Sequence, residues 1–237
     1  LSRKQRAIKH QPNSNVTTFR RPVKKQTVEL KPKSLGQEKY IADLLNDDIK
    51  IVLAVGPAGT GKTLLAMLAA IKAYKEGKVE KIVLTRPAIG TDDEQHGFLP
   101  GDINAKMEPW TRPLFDVLHE FYSPQETARM LDEQIIEISP LAFMRGRSFK
   151  AAYIVLDEAQ NTTVNQIKML MTRPGNNCKV VITGDTDQTD IHKDNGLKYV
   201  IKLLSEKKSS MITLSQLSNN DIQRSDVVQE VLRLFNN

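Results

Sequence analysis

Residues 56 to 63 read GPAGTGKT, set between the apolar run IVLAV and the stretch LLAMLAAIKAY. Gly56, Gly61, Lys62 and Thr63 satisfy G-x-x-x-x-G-K-[ST], directly after a strand-like segment and at the opening of a helix-like one, the context in which this pattern wraps a phosphate. Glycines let successive backbone N–H groups converge on an anion, and the helix N-terminus adds its dipole. A loop that joins a buried strand to a helix calls for an α/β architecture, with ligands at the carboxyl ends of the strands. Gly56, Pro57, Ala58, Gly59, Thr60, Gly61, Lys62, Thr63 and Leu64 are therefore expected to hold ATP or a related nucleoside triphosphate. Within that loop Lys62 reaches the β and γ phosphates and Thr63 ligates Mg2+.

The rest of the chain fits an α/β pattern from Ser34 onward. SLGQEKYIADLLND reads as a helix opened by a Ser cap, and residues 62 to 75 as a second helix after the phosphate loop. Apolar, β-branched runs at 51–55, 81–85, 134–139, 152–158, 179–185 and 211–216 read as strands. Helical segments near 163–172, 196–207 and 225–235 separate or follow them. Strands that are apolar without alternation imply a mainly parallel sheet covered on both faces. Residues 86 to 133 break the rhythm with RPAIGTDDEQHGFLPGD and two helical stretches, PLFDVLHEFY and QETARMLDE, an insertion of the kind that often serves function.

AYIVL delivers Asp157 and Glu158 to the carboxyl end of its strand. Asp157 suits the task of holding Mg2+, and Glu158 that of polarising a water for attack. The next strand, VVIT, ends in GDTDQTD, where Gln188 and Thr183 are candidates to sense the γ phosphate. Asp185, Asp187 and Asp190 do not make a calcium loop, because the central Gly and the twelfth-position acid of that pattern are missing.

Charge is unevenly distributed. Residues 1 to 33 hold ten Lys and Arg against one acid, Glu29, so the formal net charge of +6 arises in this segment and the remainder is net negative. The segment reads as a flexible basic arm, with TVEL at most a short edge strand, either a solvated leader or a nucleic-acid-binding arm. Residues 34 to 237 form the folded domain. The one cysteine, Cys178, has no partner for an internal disulfide, which suits a reducing cytoplasm, and no apolar run approaches a membrane span. No initiator Met opens the chain, so residue 1 reads as a truncation point; no secretory stretch follows, and a cytoplasmic location is expected, bacterial or in a phage-infected bacterium.

GPAGTGKT, LTRPA, GFLPGD, KMEPWTRPLFDVL, PLAFMRGRSF, YIVLDEAQN and ITGDTDQTD occur in the order seen in the PhoH-like ATPase family, named for a phosphate-starvation-inducible bacterial protein. The chain resembles that family over roughly residues 34 to 235, and the family is similar to the first RecA-like lobe of superfamily 1 helicases. The resemblance implies a single-lobe, three-layer RecA-like P-loop NTPase fold, ATP hydrolysis with Mg2+, and action on RNA or another nucleic acid, single-stranded DNA included. It also implies that Gln37 reads adenine with Tyr40 near the base, that Asp157, Glu158 and Gln160 match DEAQ, and that Gln188 couples the γ phosphate to conformational change. The chain departs from the family near its end, where Gln229 and Glu230 replace an arginine and a histidine.

Related helicases hydrolyse ATP between two lobes, the second supplying an arginine. One lobe alone implies that the arginine comes from a neighbouring copy, and a homo-oligomeric ring, a hexamer, is expected. Candidate fingers are Arg145, Arg147, Arg173 and Arg224, while Arg86 opens the loop where related helicases touch the nucleic-acid backbone. Aromatic residues make up 5% of the chain and Trp110 is the single Trp, so contacts should go to phosphates more than to stacked bases, with Trp110 and Phe98 packed in the insertion. Two other readings remain open at this level: a P-loop kinase, and a nucleic-acid-binding module that uses ATP only to assemble. An acid placed like Glu158 favours hydrolysis over both.

Overall fold

A computed structural model of the chain describes residues 27–87, 103–190 and 194–223, with positions 227, 228, 231 and 234 in helical conformation; for 103–111 only the backbone is described. Most of the basic arm, Phe98, Arg224, Gln229, Glu230 and the side chain of Trp110 lie outside the described residues.

Helix α1 (Leu35–Leu45) starts where the Ser34 hydroxyl accepts the Gln37 N–H at 3.2 Å, a cap that stabilises such a helix by about 1 kcal/mol. Strand β1 (Ile51–Val55) leads into helix α2 (Lys62–Lys75), and β2 (Lys81–Arg86) into helices α3 (Ile103–Phe121) and α4 (Pro124–Asp132). There follow β3 (Ile136–Pro140), β4 (Ala152–Leu156), α5 (Val164–Met171), β5 (Lys179–Gly184), α6 (Gly196–Glu206) and β6 (Ile212–Gln216). The strands form one sheet in the order β3-β2-β4-β5-β1-β6, and every pair is parallel.

The period of two within each strand sorts the core into two layers. Val52, Ala54, Ile82, Leu84, Tyr153, Val155 and Val181 pack with residues of α1, α2, α3 and α4. Ile51, Leu53, Val55, Val83, Ile154, Leu156, Val180 and Ile182 pack with Ile167 and Leu170 of α5 and Leu197 and Val200 of α6. Strands β1 and β4 are buried along their whole length, which is why they read as continuous apolar runs. The result is a three-layer, single-lobe α/β unit of the expected RecA-like class, and the fifth strand separates the phosphate-loop strand from the acidic one.

Two expectations shift in detail. Helix α3 begins at Ile103, well before the PLFDVLHEFY segment, and runs through Pro109 and Pro113. Each proline forgoes a backbone donor, and burial of Leu118 and Phe121 with Leu114, Phe115 and Val117 packed beside them holds the helix. TVEL is no strand: Val28 is buried in the core and Leu30 packs against it. Cys178 is buried.

At the amino ends of the strands, Lys179 donates to the carbonyls of Asp43 at 2.9 Å and Asn46 at 2.8 Å, closing the end of α1. It borders a cavity of about 350 Å3 that shares no residue with the phosphate loop. Burial pushes its ammonium down from 10.5 to about 8, against the attraction of Asp47. Between those values the unfolded chain binds the extra proton, so this residue's favourable contribution is complete above 10.5 and is lost as pH falls through about 8. Urea midpoints measured from pH 7 to 10 should therefore rise for the wild type relative to Lys179→Met, and parallel curves would contradict the assignment.

Candidate active site

The phosphate loop is shaped by positions that exclude side chains. Gly56 has φ 149°, and a Cβ there would lie 2.3 Å from the Leu217 carbonyl oxygen. Gly61, at φ 80°, occupies the N-cap of α2 without any side-chain hydrogen bond. The first N–H groups of α2 are thus free of a competing cap, which leaves them and the helix dipole for an anion.

Lys62 folds back onto its own loop, its ammonium donating to the carbonyls of Gly56 at 2.6 Å and Pro57 at 2.7 Å. Burial pulls its pKa below the usual lysine range, while Asp185, Asp157 and Glu158 pull the other way. The cation is therefore held inside the cradle by weak carbonyl partners, which a phosphate group displaces readily.

Three elements meet at Asp157. Its Oδ1 accepts the Thr63 hydroxyl from α2 at 2.7 Å and the Thr183 hydroxyl from β5 at 2.6 Å. A hydroxyl and a carboxylate side by side match the oxygen donors that Mg2+ takes from protein when phosphates supply the rest. Among the described residues no group of three or more His, Cys, Asp and Glu forms a metal cage. Thr63 and Asp157 would hold the ion, whose chemistry is to neutralise charge on the phosphates. Thr183 is fully buried behind the acid, so it serves Asp157 instead of facing the γ phosphate.

Glu158 sits at φ 55°, ψ 40°, a left-handed conformation uncommon outside glycine and often found at functional sites. This turn brings Oε1 to 3.0 Å from Arg86 Nη2, and Oε2 accepts a hydrogen bond from the Gln160 amide. Gln160 in turn accepts the Asp185 N–H at 3.1 Å, tying the ends of β4 and β5 together. Gln188 borders a cavity of about 300 Å3 together with Lys62, Thr63, Asp157, Glu158, and Ala58, Gly59, Gly61 and Leu64 of the loop. The candidates for phosphate, metal and water chemistry thus share one cleft.

Gln37 and Tyr40 approach the loop from behind. Gln37 is 4% exposed; it accepts the Lys33 N–H at 2.9 Å and donates to the Thr60 carbonyl at 3.0 Å. Tyr40 is wholly buried and its hydroxyl donates to the Lys62 carbonyl at 3.1 Å. In this arrangement both brace the loop and offer no face to a base. The loop's outer side is held by Gln223, whose N–H donates to the Gly59 carbonyl at 2.9 Å. Asp221 fixes that segment by accepting the N–H groups of Gly36 at 3.1 Å and Ser218 at 2.7 Å. Neither Asp221 nor Gln223 was visible in the sequence, because no local pattern marks a contact between positions 36 and 221.

The arginines divide sharply. Arg147 forms a two-pronged ion pair with Glu137, its Nη2 at 2.8 Å from Oε2, and stacks 5.0 Å over Phe149. Arg173 keeps a buried Nε with no hydrogen-bond partner among the described residues. Arg145 is exposed beside Phe143, itself 53% exposed.

The fold and this cleft define a RecA-like P-loop NTPase-type domain. The family model described as PhoH-like protein matches residues 29–236. The chain is 42% identical over 208 residues to a PhoH-like protein of Bacillus subtilis (strain 168), covering 87% of this chain and 64% of that protein. It is 36% identical over 190 residues to Protein PhoH of Escherichia coli (strain K12), covering 78% of this chain and 53% of that protein. The Sulfolobus solfataricus SWI2/SNF2 ATPase core in complex with dsDNA matches with TM-score 0.45 and 15% identity, over 85% of this chain and 48% of that one. The chain belongs to the PhoH-like family, and it spans between just over half and just under two thirds of the length of these curated relatives.

The geometry makes the Thr183 hydroxyl a structural test. Its bond to an ionised acceptor is worth about 1.5–3 kcal/mol, so Thr183→Val should lower the urea midpoint while Thr183→Ser keeps most of it. Equal midpoints for the two variants would show that the bond to Asp157 contributes nothing.

Proposed function

We propose that this domain hydrolyses ATP with Mg2+ and couples hydrolysis to binding or remodelling of nucleic acid, as an RNA helicase or translocase working in a homo-oligomeric ring. The observation that carries the reading is the convergence of Lys62, Thr63, Asp157, Glu158 and Gln188 on one cleft. Lys62 leaves its loop carbonyls to meet the β and γ phosphates, and Thr63 and Asp157 hold the metal. Glu158 takes the proton of the attacking water, and Gln188 reports the state of the γ phosphate to the loop after β5. If Gln37 reads adenine, it must first release Thr60 and Lys33, so base recognition loosens the loop from behind.

No arginine is among the described residues that line the cleft, and Arg86 reaches only its Glu158 edge. In the proposed ring a neighbouring copy supplies the arginine, and Arg145, exposed and in no ion pair among the described residues, suits that task better than Arg147, which is committed to Glu137. Such a finger is worth on the order of 10³–10⁵ in rate. RNA is the favoured polymer, with single-stranded DNA as the alternative, and the basic arm adds salt-dependent phosphate contacts.

Lys62→Ala should abolish hydrolysis in a phosphate-release assay. Glu158→Gln should retain ATP binding by calorimetry yet lose turnover by about 10²-fold or more, the scale of a lost general base. Undiminished turnover in either variant sinks the site assignment. Light scattering with ATP present should show a species of several copies, and a monomer at all concentrations would remove the shared-site part of the reading.

A further inference from the structure

Glu158 is the residue assigned to activate water, yet both of its oxygens are engaged. Arg86 Nη2 lies 3.0 Å from Oε1, and the Gln160 amide donates to Oε2. Gln160 is itself fixed, since its own oxygen accepts the Asp185 N–H and the residue is 3% exposed. Arg86 differs: it is the last residue of β2, its side chain is 27% exposed, and that of Glu158 is 35% exposed. One partner of the carboxylate is thus built in, and the other stands at the open carboxyl edge of the sheet within reach of solvent.

A guanidinium in that position has two possible anionic partners. Its planar fork matches a phosphodiester as well as a carboxylate. Paired with Glu158, Arg86 occupies the oxygen that must accept a proton and holds it turned toward β2. Resting on the proposed function, we infer that a backbone phosphate of the bound polynucleotide takes Arg86 away from Glu158, and that the ion pair restrains hydrolysis until a strand arrives. Once released, Oε1 accepts a proton from water, the resulting hydroxide attacks the γ phosphorus, and the bond from that phosphorus to the β–γ bridging oxygen breaks. The products are ADP and inorganic phosphate, with the proton on Glu158. Arg86 acts here as a positioning residue, through Glu158. The coupling is reciprocal: whatever loosens Arg86 from Glu158 also strengthens its hold on phosphate.

The test measures ATP turnover by the wild-type chain, Arg86→Gln and Arg86→Lys, without polymer, with polyuridylate and with oligothymidylate, at fixed salt. A partly exposed ion pair of this kind corresponds to about two- to fivefold in rate. Arg86→Gln should therefore raise unstimulated kcat by about that factor, leave KM for ATP unchanged, and respond to polymer less than about twofold. Arg86→Lys, keeping the charge, should retain most of the stimulation. In parallel, Glu158→Gln should bind fluorescent polyuridylate about two- to fivefold more tightly than the wild type, a readout that needs no turnover and no altered arginine. A lower unstimulated kcat in Arg86→Gln, stimulation equal to the wild type, or an unchanged polyuridylate affinity in Glu158→Gln each overturns the inference and leaves the ATPase reading standing. A wild-type enzyme that hydrolyses ATP at the same rate with and without either polymer overturns the nucleic-acid coupling itself.

Discussion

One carboxylate oxygen, Oδ1 of Asp157, accepts hydroxyls from two elements that are distant in sequence, Thr63 of α2 and Thr183 of β5. Because Asp157 follows β4, this single atom ties the start of the phosphate-loop helix to the carboxyl ends of β4 and β5. The parallel ladder makes the arrangement possible: with β5 between β4 and β1, all three carboxyl ends finish in register at one edge. An ionised oxygen partly removed from water requires such donors. The Thr63 hydroxyl and this oxygen are the pair that would hold a divalent cation, with Thr183 bracing the acid from behind.

Around that point the loop is supported on every side but one. Tyr40 and Gln37 hold it from α1, the Gln223 N–H holds it from the segment after β6, and Lys62 fills its centre with a cation. The uncapped start of α2 and the cleft beside Gln188 are the open side. The protein meets the cost of gathering these donors during folding, so a ligand entering the cleft encounters groups already in place. The supports rest on backbone carbonyls, which carry no net charge and yield to a phosphate.

The loop, the acidic strand end and the two-sided sheet were legible in the sequence because each is written locally: a fixed glycine spacing, two acids after an apolar run, strands without alternation. What stayed hidden was non-local or degenerate in residue type. Pro113 marks a helix start in isolation, yet α3 passes through it because an apolar face beyond it is buried. Thr183 was indistinguishable from a ligand-facing threonine until the parity of β5 placed its side chain on the α2 face and behind Asp157. Arg147 and Arg145 stand two positions apart with the same chemistry, and only the presence of Glu137 on a neighbouring strand separates a structural ion pair from an exposed cation. The bond between Arg86 and Glu158 joins the ends of two strands adjacent in the sheet and far apart in the chain.

The segment from Ser218 to Gln223 leaves the sheet, meets the start of α1 through Asp221, and then touches the outer rim of the phosphate loop. Both flanks of the domain are therefore tied to the phosphate loop, one through the Gln37 and Tyr40 side chains and the other through the Gln223 backbone N–H. One hydrogen bond, from the Gln223 N–H, separates this segment from Gly59 of the loop. A load on the segment after β6 would thus bear on the rim of the phosphate loop without entering the cleft.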